Sequence, residues 1–210
     1  IRALDYLRSR PEVDGRRVGL TGNSGGGTMT TWMWAIEPRI TMAAPSCFVT
    51  TFLCNLENEL PADAEQIPPG LLGAGLDMAD FVIASAPRPT LLLGQAHDYF
   101  DIRGTEQTFQ RIRKVYRLLS KPHNIQLHIG RRRHGFDRQA REACGAFFNR
   151  HAGISRSGRE GSIRLLRDEN LFATLDGNVL NLAGARPPRQ RQVVAPGSAP
   201  AGCRECSRKY

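Results

Sequence analysis

An α/β architecture, a parallel sheet flanked by helices, is what three features of this 210-residue sequence predict. Short apolar segments of strand length alternate with longer segments of helical periodicity, the pattern that βαβ crossovers produce. One of the short segments carries Leu91-Leu92-Leu93, and three successive leucines suit a strand buried on both faces of a parallel sheet. A glycine-rich turn, Gly22-Asn23-Ser24-Gly25-Gly26-Gly27, joins a strand directly to a helix.

Taken in order, Ile1, Leu4 and Leu7 stand at helical spacing, and Pro11 ends that helix before a turn at Asp14-Gly15. Val18–Thr21 is a short strand, and helical character resumes over Thr28–Ile36 beyond the glycines. Ile40–Val49 is a second strand, mostly apolar and ending in β-branched residues. Residues 55–89 break the rhythm: five prolines, polar stretches, and apolar clusters at Leu71-Leu72 and Phe81-Val82-Ile83. This segment is expected to be an insertion of short helices forming a cap. Thr90–Gly94 is the third strand, and Thr105–Leu119 an amphipathic helix with Phe109, Ile112, Tyr116 and Leu119 on one stripe. Ile125–Ile129 alternates, with His128 on the face opposite Ile125, Leu127 and Ile129. A last helix covers about Arg138 to Asn149. The expected organisation is a catalytic domain over 1–152, an extension over 153–184, and a basic, disordered tail over 185–210.

The formal net charge of +9 is concentrated at the end, where residues 185–210 hold six basic residues against one acid. Arg131, Arg132 and Arg133 make the one dense basic run before it, expected as a solvated loop. Neither a nucleic acid nor a membrane is expected as a partner, and no apolar run reaches the roughly 18–20 residues of a membrane span. Five cysteines, an odd number, do not make a disulfide framework for a chain of this size. Cys47 and Cys54 are spaced for pairing in an exported protein, while Cys47 and Cys144 lie in apolar stretches that favour buried free thiols. Cys203 and Cys206 form a single CxxC without further ligands at metal spacing.

The chemistry starts at Gly22-Asn23-Ser24-Gly25-Gly26, a G-x-S-x-G turn with a strand before it and a helix after it. That context holds a nucleophilic serine in a tight, strained turn with its Oγ exposed. The following helix offers free N–H groups, with that of Gly25 expected in the oxyanion hole. No Lys-Ser/Thr follows, so a phosphate-binding loop does not fit. A serine needs a base, and of five histidines His134 stands on the loop after the fourth strand, at the carboxyl end of the sheet. The acid comes from the loop after the third strand. Asp98 is preferred because it comes first, four residues after Gly94 where the strand has just ended, and Asp101 is the alternative, suited also to capping the next helix. The chain order Ser24, Asp98, His134 is the Ser…Asp…His order of one large hydrolase class.

These residues carry a resemblance. The chain resembles the bacterial acetyl xylan esterase and dienelactone-hydrolase-like group of α/β-hydrolases at Gly22–Thr28, Asp63-Ala64-Glu65-Gln66 with Pro68-Pro69-Gly70, Ala86–Pro89 leading into Leu91–Gly94, Asp98-Tyr99-Phe100-Asp101, and His134-Gly135-Phe136 with Arg141-Glu142. The resemblance covers about residues 1–152 and implies hydrolysis of a small acyl ester, such as an acetyl group on a carbohydrate, through an acyl-enzyme. It implies no metal or organic cofactor, and often export, although no signal peptide opens this chain. Asn23, Glu65 and Gln66 are candidate substrate-binding residues. A prolyl oligopeptidase-type peptidase shares the chain order but usually has an aromatic residue where Gly25 stands, and a basic binding module would rest on charge alone. Because a single helix precedes the strand leading to Ser24, further strands, and the loop giving a second oxyanion donor, are expected upstream.

Overall fold

The computed structural model describes residues 1–58 and 60–185, in two separate units, Ile1–Gly161 and one from Ser162 onward. The first unit contains α1 (Arg2–Arg8), β1 (Gly19–Asn23), α2 (Gly25–Ile36), β2 (Met42–Ser46), α3 (Phe52–Leu56), α4 (Met78–Ile83), β3 (Thr90–His97), α5 (Ile102–Leu118), β4 (Ile125–Arg133) and α6 (Arg138–His151). The described part of the second unit holds two short 3₁₀ turns, Asp168–Leu171 and Val179–Asn181. The basic tail from Arg186 onward and the Cys203/Cys206 pair lie outside the described residues. No described helix is long and apolar enough to cross a membrane.

The four strands are all parallel and stand in the order β1-β2-β3-β4, so each strand's neighbour in the chain is also its neighbour in the sheet. Alternate residues of β3 feed two cores, as the two-residue repeat of a strand requires. Leu92 packs with Phe48, Met78, Val82, Ile112 and Tyr116 on the face covered by α4 and α5. Leu91 and Leu93 pack with Met42, Ala44, Cys144 and Phe147 on the face covered by α6. Trp34 of α2, fully buried, joins Ile40 and Ala43 in a third cluster.

Several boundaries differ from the sequence reading, each for a physical reason. The second strand stops at Ser46 instead of continuing to Val49, because Cys47 adopts a left-handed backbone (φ 51°) that turns Phe48 and Val49 off the sheet and into the core. Arg131, Arg132 and Arg133 are not a loop but the exposed end of β4. That strand is at the sheet's edge, where charged side chains are tolerated. The helix after Ser24 begins at Gly25, three residues before Thr28, and α5 begins at Ile102, where the Asp101 carboxylate accepts from the Arg103 N–H.

Two features govern how the layers are joined. Pro45 sits inside β2, a central strand. The flanking N–H groups of Ala43 and Cys47 donate across to Pro89 and Leu93 at 3.1 and 2.9 Å, and the proline between them has no N–H to give. At the far end of α2, Arg88 donates to the carbonyls of Trp34, Glu37 and Ile40 at 2.6, 3.2 and 2.8 Å. Its guanidinium also lies 3.8 Å from the centre of the Trp34 ring. The segment 55–89 is anchored within this unit, with Ala62, Leu71, Met78, Ala79 and Val82 buried in the larger core.

Candidate active site

Ser24 is the residue between β1 and α2, and its backbone (φ 60°, ψ −121°) is one that a non-glycine residue adopts only under strain, at about 1–3 kcal/mol. Glycine is required around it by close backbone approach. A Cβ on Gly22 would sit 2.5 Å from the Gly26 carbonyl oxygen, and one on Gly27 would run into that of Ser46. The turn is pinned from both sides, since the Ser24 N–H donates to the Ser46 carbonyl at 3.0 Å and the Ser24 carbonyl accepts from the Thr28 N–H at 2.9 Å. Gly25 follows as the first residue of α2, where backbone N–H groups have no partner within the helix.

Asp98 follows β3 directly and His134 follows β4 directly, so both project from the same end of the sheet as Ser24. The carboxylate Oδ1 of Asp98 lies 2.8 Å from Nδ1 of His134, with the Asp98 side chain 1% exposed. Oδ1 also accepts from the Phe100 N–H at 3.0 Å. An ionised carboxylate can only accept, so Nδ1 carries the proton and Nε2 is left with a lone pair. Nε2 lies 3.3 Å from the Tyr99 hydroxyl, and the Tyr99 ring stacks on the imidazole at 4.4 Å between centres. Asp101 is occupied elsewhere: it caps α5 and pairs with Arg103, whose guanidinium holds its carboxyl below the usual range.

Ser24 and His134 come from the two edge strands. Three strand spacings, about 14 Å, separate such positions, so His134 has to lean across the ends of the inner strands. It does lean: His134, Asp98 and the Cys47 thiol, which follows β2, bring one atom each to within 4.8 Å of one another. Among the described residues Ser24 Oγ and His134 are not hydrogen-bonded to each other. Of the other candidates, Asn23 accepts at Oδ1 from the Ser46 hydroxyl at 2.9 Å. Gln66 is buried, donating to Thr28 Oγ1 at 2.9 Å and accepting from the Asp63 N–H at 3.1 Å, whereas Glu65 is exposed.

Three neighbours of the site escaped the sequence reading. Gln95, 1% exposed, grips the His134 loop by donating to the Gly135 carbonyl at 3.3 Å and accepting from the Arg132 N–H at 3.0 Å. Tyr99 covers the imidazole. Cys47 lies under the Asp98 carboxylate, and burial, followed by that carboxylate, pushes its thiol up to about 12. Cys47, Cys54 and Cys144 are all free and buried, so the Cys47–Cys54 pairing does not form. A cavity of about 920 Å³ opens beside His134, lined also by His97, Arg131–Arg133 and Phe136–Gln139.

No family model and no curated protein matches this sequence. Solved structures do match. The methylesterase BT1017 superposes with a TM-score of 0.62 at 24% identity, over 76% of this chain and 35% of that one. A carbohydrate esterase family 15 glucuronoyl esterase from Caldicellulosiruptor kristjansonii matches with a TM-score of 0.62 at 18% identity, over 78% and 52%. The catalytic domain of a glucuronoyl esterase from Hypocrea jecorina gives 0.60 at 15%, over 82% and 55%. This chain thus spans between about a third and just over half the length of these proteins. The parallel sheet, its flanking helices and these superpositions together show that the chain has the α/β-hydrolase fold.

Proposed function

We propose that this protein is a serine esterase acting on a small ester carried by a carbohydrate, with Ser24 as nucleophile, His134 as general base and Asp98 as its acid. The observation that carries this reading is the 2.8 Å bond between Asp98 Oδ1 and His134 Nδ1, which leaves Nε2 as the basic nitrogen. In the first step Ser24 Oγ attacks the ester carbonyl carbon while its proton passes to Nε2, and the imidazolium is stabilised by Asp98. The negative charge on the carbonyl oxygen falls to the Gly25 N–H. Collapse of the tetrahedral intermediate breaks the bond to the alcohol, which leaves with the proton from Nε2. Water then enters by the same route and frees the acid and Ser24.

The carbohydrate part of the reading draws on the matched proteins, a methylesterase and glucuronoyl esterases by name, and on the basic wall that Arg131–Arg133 give the cavity beside His134. An acetyl ester and a methyl uronate are the two forms to compare, and Glu65, exposed on the 55–89 segment, is the candidate for discriminating them. Export, which the resemblance implies, belongs to the same proposal. The test is labelling by a fluorophosphonate together with turnover of an acetylated saccharide and a methyl uronate. Ser24→Ala is expected to abolish labelling, and both Ser24→Ala and His134→Ala to lower turnover by about 10⁴ or more with the far-UV spectrum unchanged. Labelling that survives in Ser24→Ala would remove Ser24 from the mechanism.

A further inference from the structure

We infer that Cys47 is a positioning residue for Asp98, its thiol donating to the carboxylate oxygen that His134 does not use. This rests on the reading of Asp98 as the acid partner of His134. Oδ1 of that carboxylate is served twice, by His134 Nδ1 and by the Phe100 N–H. Oδ2 is buried and makes no hydrogen bond among the described residues. A buried carboxylate oxygen without a donor costs free energy, more than a neutral acceptor would. The Cys47 thiol is the candidate to relieve it, being 2% exposed with its sulfur within 4.8 Å of a carboxylate oxygen of Asp98 and a ring nitrogen of His134.

The thiol has one proton and two acceptors in reach. Its sulfur stands 3.4 Å from the Gly135 carbonyl, but that carbonyl already accepts from Gln95 Nε2 at 3.3 Å. A charged acceptor with no other donor outcompetes a neutral one that is already satisfied. The Asp98 carboxylate and burial together keep the thiol protonated, the state a donor needs. The left-handed backbone at Cys47 is the local distortion that turns this side chain under the site. Cys47 therefore fixes the plane of the carboxylate, and through it the tilt of the imidazole.

The S–H stretch in the infrared lies clear of other protein bands, and the difference between the parent chain and Cys47→Ala isolates the band of Cys47. In the parent it is expected at the low frequency of a thiol bound to a charged acceptor, and in Asp98→Ala it is expected to move up. A band that stays in place in Asp98→Ala overturns the proposal, because the thiol then bonds to Gly135. This readout needs no turnover, so failure of the esterase reading would not be mistaken for failure here. In turnover, Cys47→Ala is expected to lower kcat about tenfold with KM unchanged, as loss of one hydrogen bond to a charged group predicts, and Cys47→Ser, which keeps a donor, to recover most of it. Equal losses in Ala and Ser variants would assign Cys47 to packing and overturn the inference. If the alanine variant fails to fold, the serine variant supplies the infrared difference and Asp98→Ala the comparison.

Discussion

Asp98 and Asp101 are three positions apart in sequence and have nothing in common in their surroundings. Asp98 is almost wholly removed from solvent and bonded to an imidazole, while Asp101 caps α5 and pairs with a largely exposed Arg103. Replacing each by asparagine keeps size and shape and removes the charge. Asp98→Asn is expected to lower turnover by about 10⁴, since an amide can present a donor to Nδ1 and favour the wrong tautomer. Asp101→Asn is expected to leave turnover nearly intact and to cost at most about 1 kcal/mol of stability, because asparagine is itself a good cap. Steady-state kinetics and urea unfolding of the two variants check both, and the reverse ranking would transfer the acid's role to Asp101. The placing of Ser24, Asp98 and His134 at strand ends was legible because each is marked locally, by a glycine run, an apolar triplet and an alternating stretch. Cys47, Gln95 and Tyr99 were not legible, since their partners lie 35 to 88 positions away in the chain. Only the stacking of strands brings those pairs together.

Among the elements, α2 has the most demanding task, because its first turn must stay fixed against Ser24. It is held at both ends. At the start, Gln66 reaches Thr28 and the Ser24 N–H binds Ser46. At the finish, Arg88 brings a positive charge and several donors to the Trp34 carbonyl in the last turn and to the Glu37 and Ile40 carbonyls just beyond it. Arg88→Met loses the guanidinium over Trp34 and all of these bonds, leaving the Trp34 carbonyl to the Ser85 hydroxyl alone, and is expected to lower stability by about 2–4 kcal/mol. Arg88→Lys keeps the charge and loses the planar fork, so an intermediate loss is expected. Thermal unfolding of the two variants against the parent measures the order, and a lysine variant as weak as the methionine one would show that geometry, not charge, is what matters. The strand, turn and helix around Ser24 could be read from the sequence since every signal in them is local. The ends of β2 and β4 could not. One is set by a left-handed residue that carries no glycine to announce it, and the other runs on through three arginines that look like loop until the edge position of the strand is known.

On the scale of the whole sheet, the alternation in the sequence implied parallel strands joined by helices, and the serial strand order that makes the fold a row of βα units came with the structure. What periodicity does not reveal is how firmly each unit is joined to the next. β3 and β4 are paired along almost their full length, and β1 and β2 over five residues, but β2 and β3 meet in register only at Ala43–Thr90 and Ser46–Leu93, with Pro45 between. Beside the backbone bonds from Ala43 and Cys47, side chains cross this line through the Trp34–Thr90 hydrogen bond, the Arg88 contacts with α2 and the two larger cores. The missing rung thus divides the proposed catalytic set, with Ser24 on one side and Asp98 and His134 on the other. Seen as cooperativity, the β2–β3 line is where the first unit is expected to open first. A partial opening along Pro45 would dissolve the chemistry while leaving both halves folded, and sub-global openings of this kind lie below the free energy of complete unfolding. Turnover is therefore expected to disappear at lower urea than the far-UV helix signal, with serine labelling by a fluorophosphonate falling alongside turnover. Coincident midpoints for all three would mean that the proline gap is fully compensated and the sheet melts as one unit.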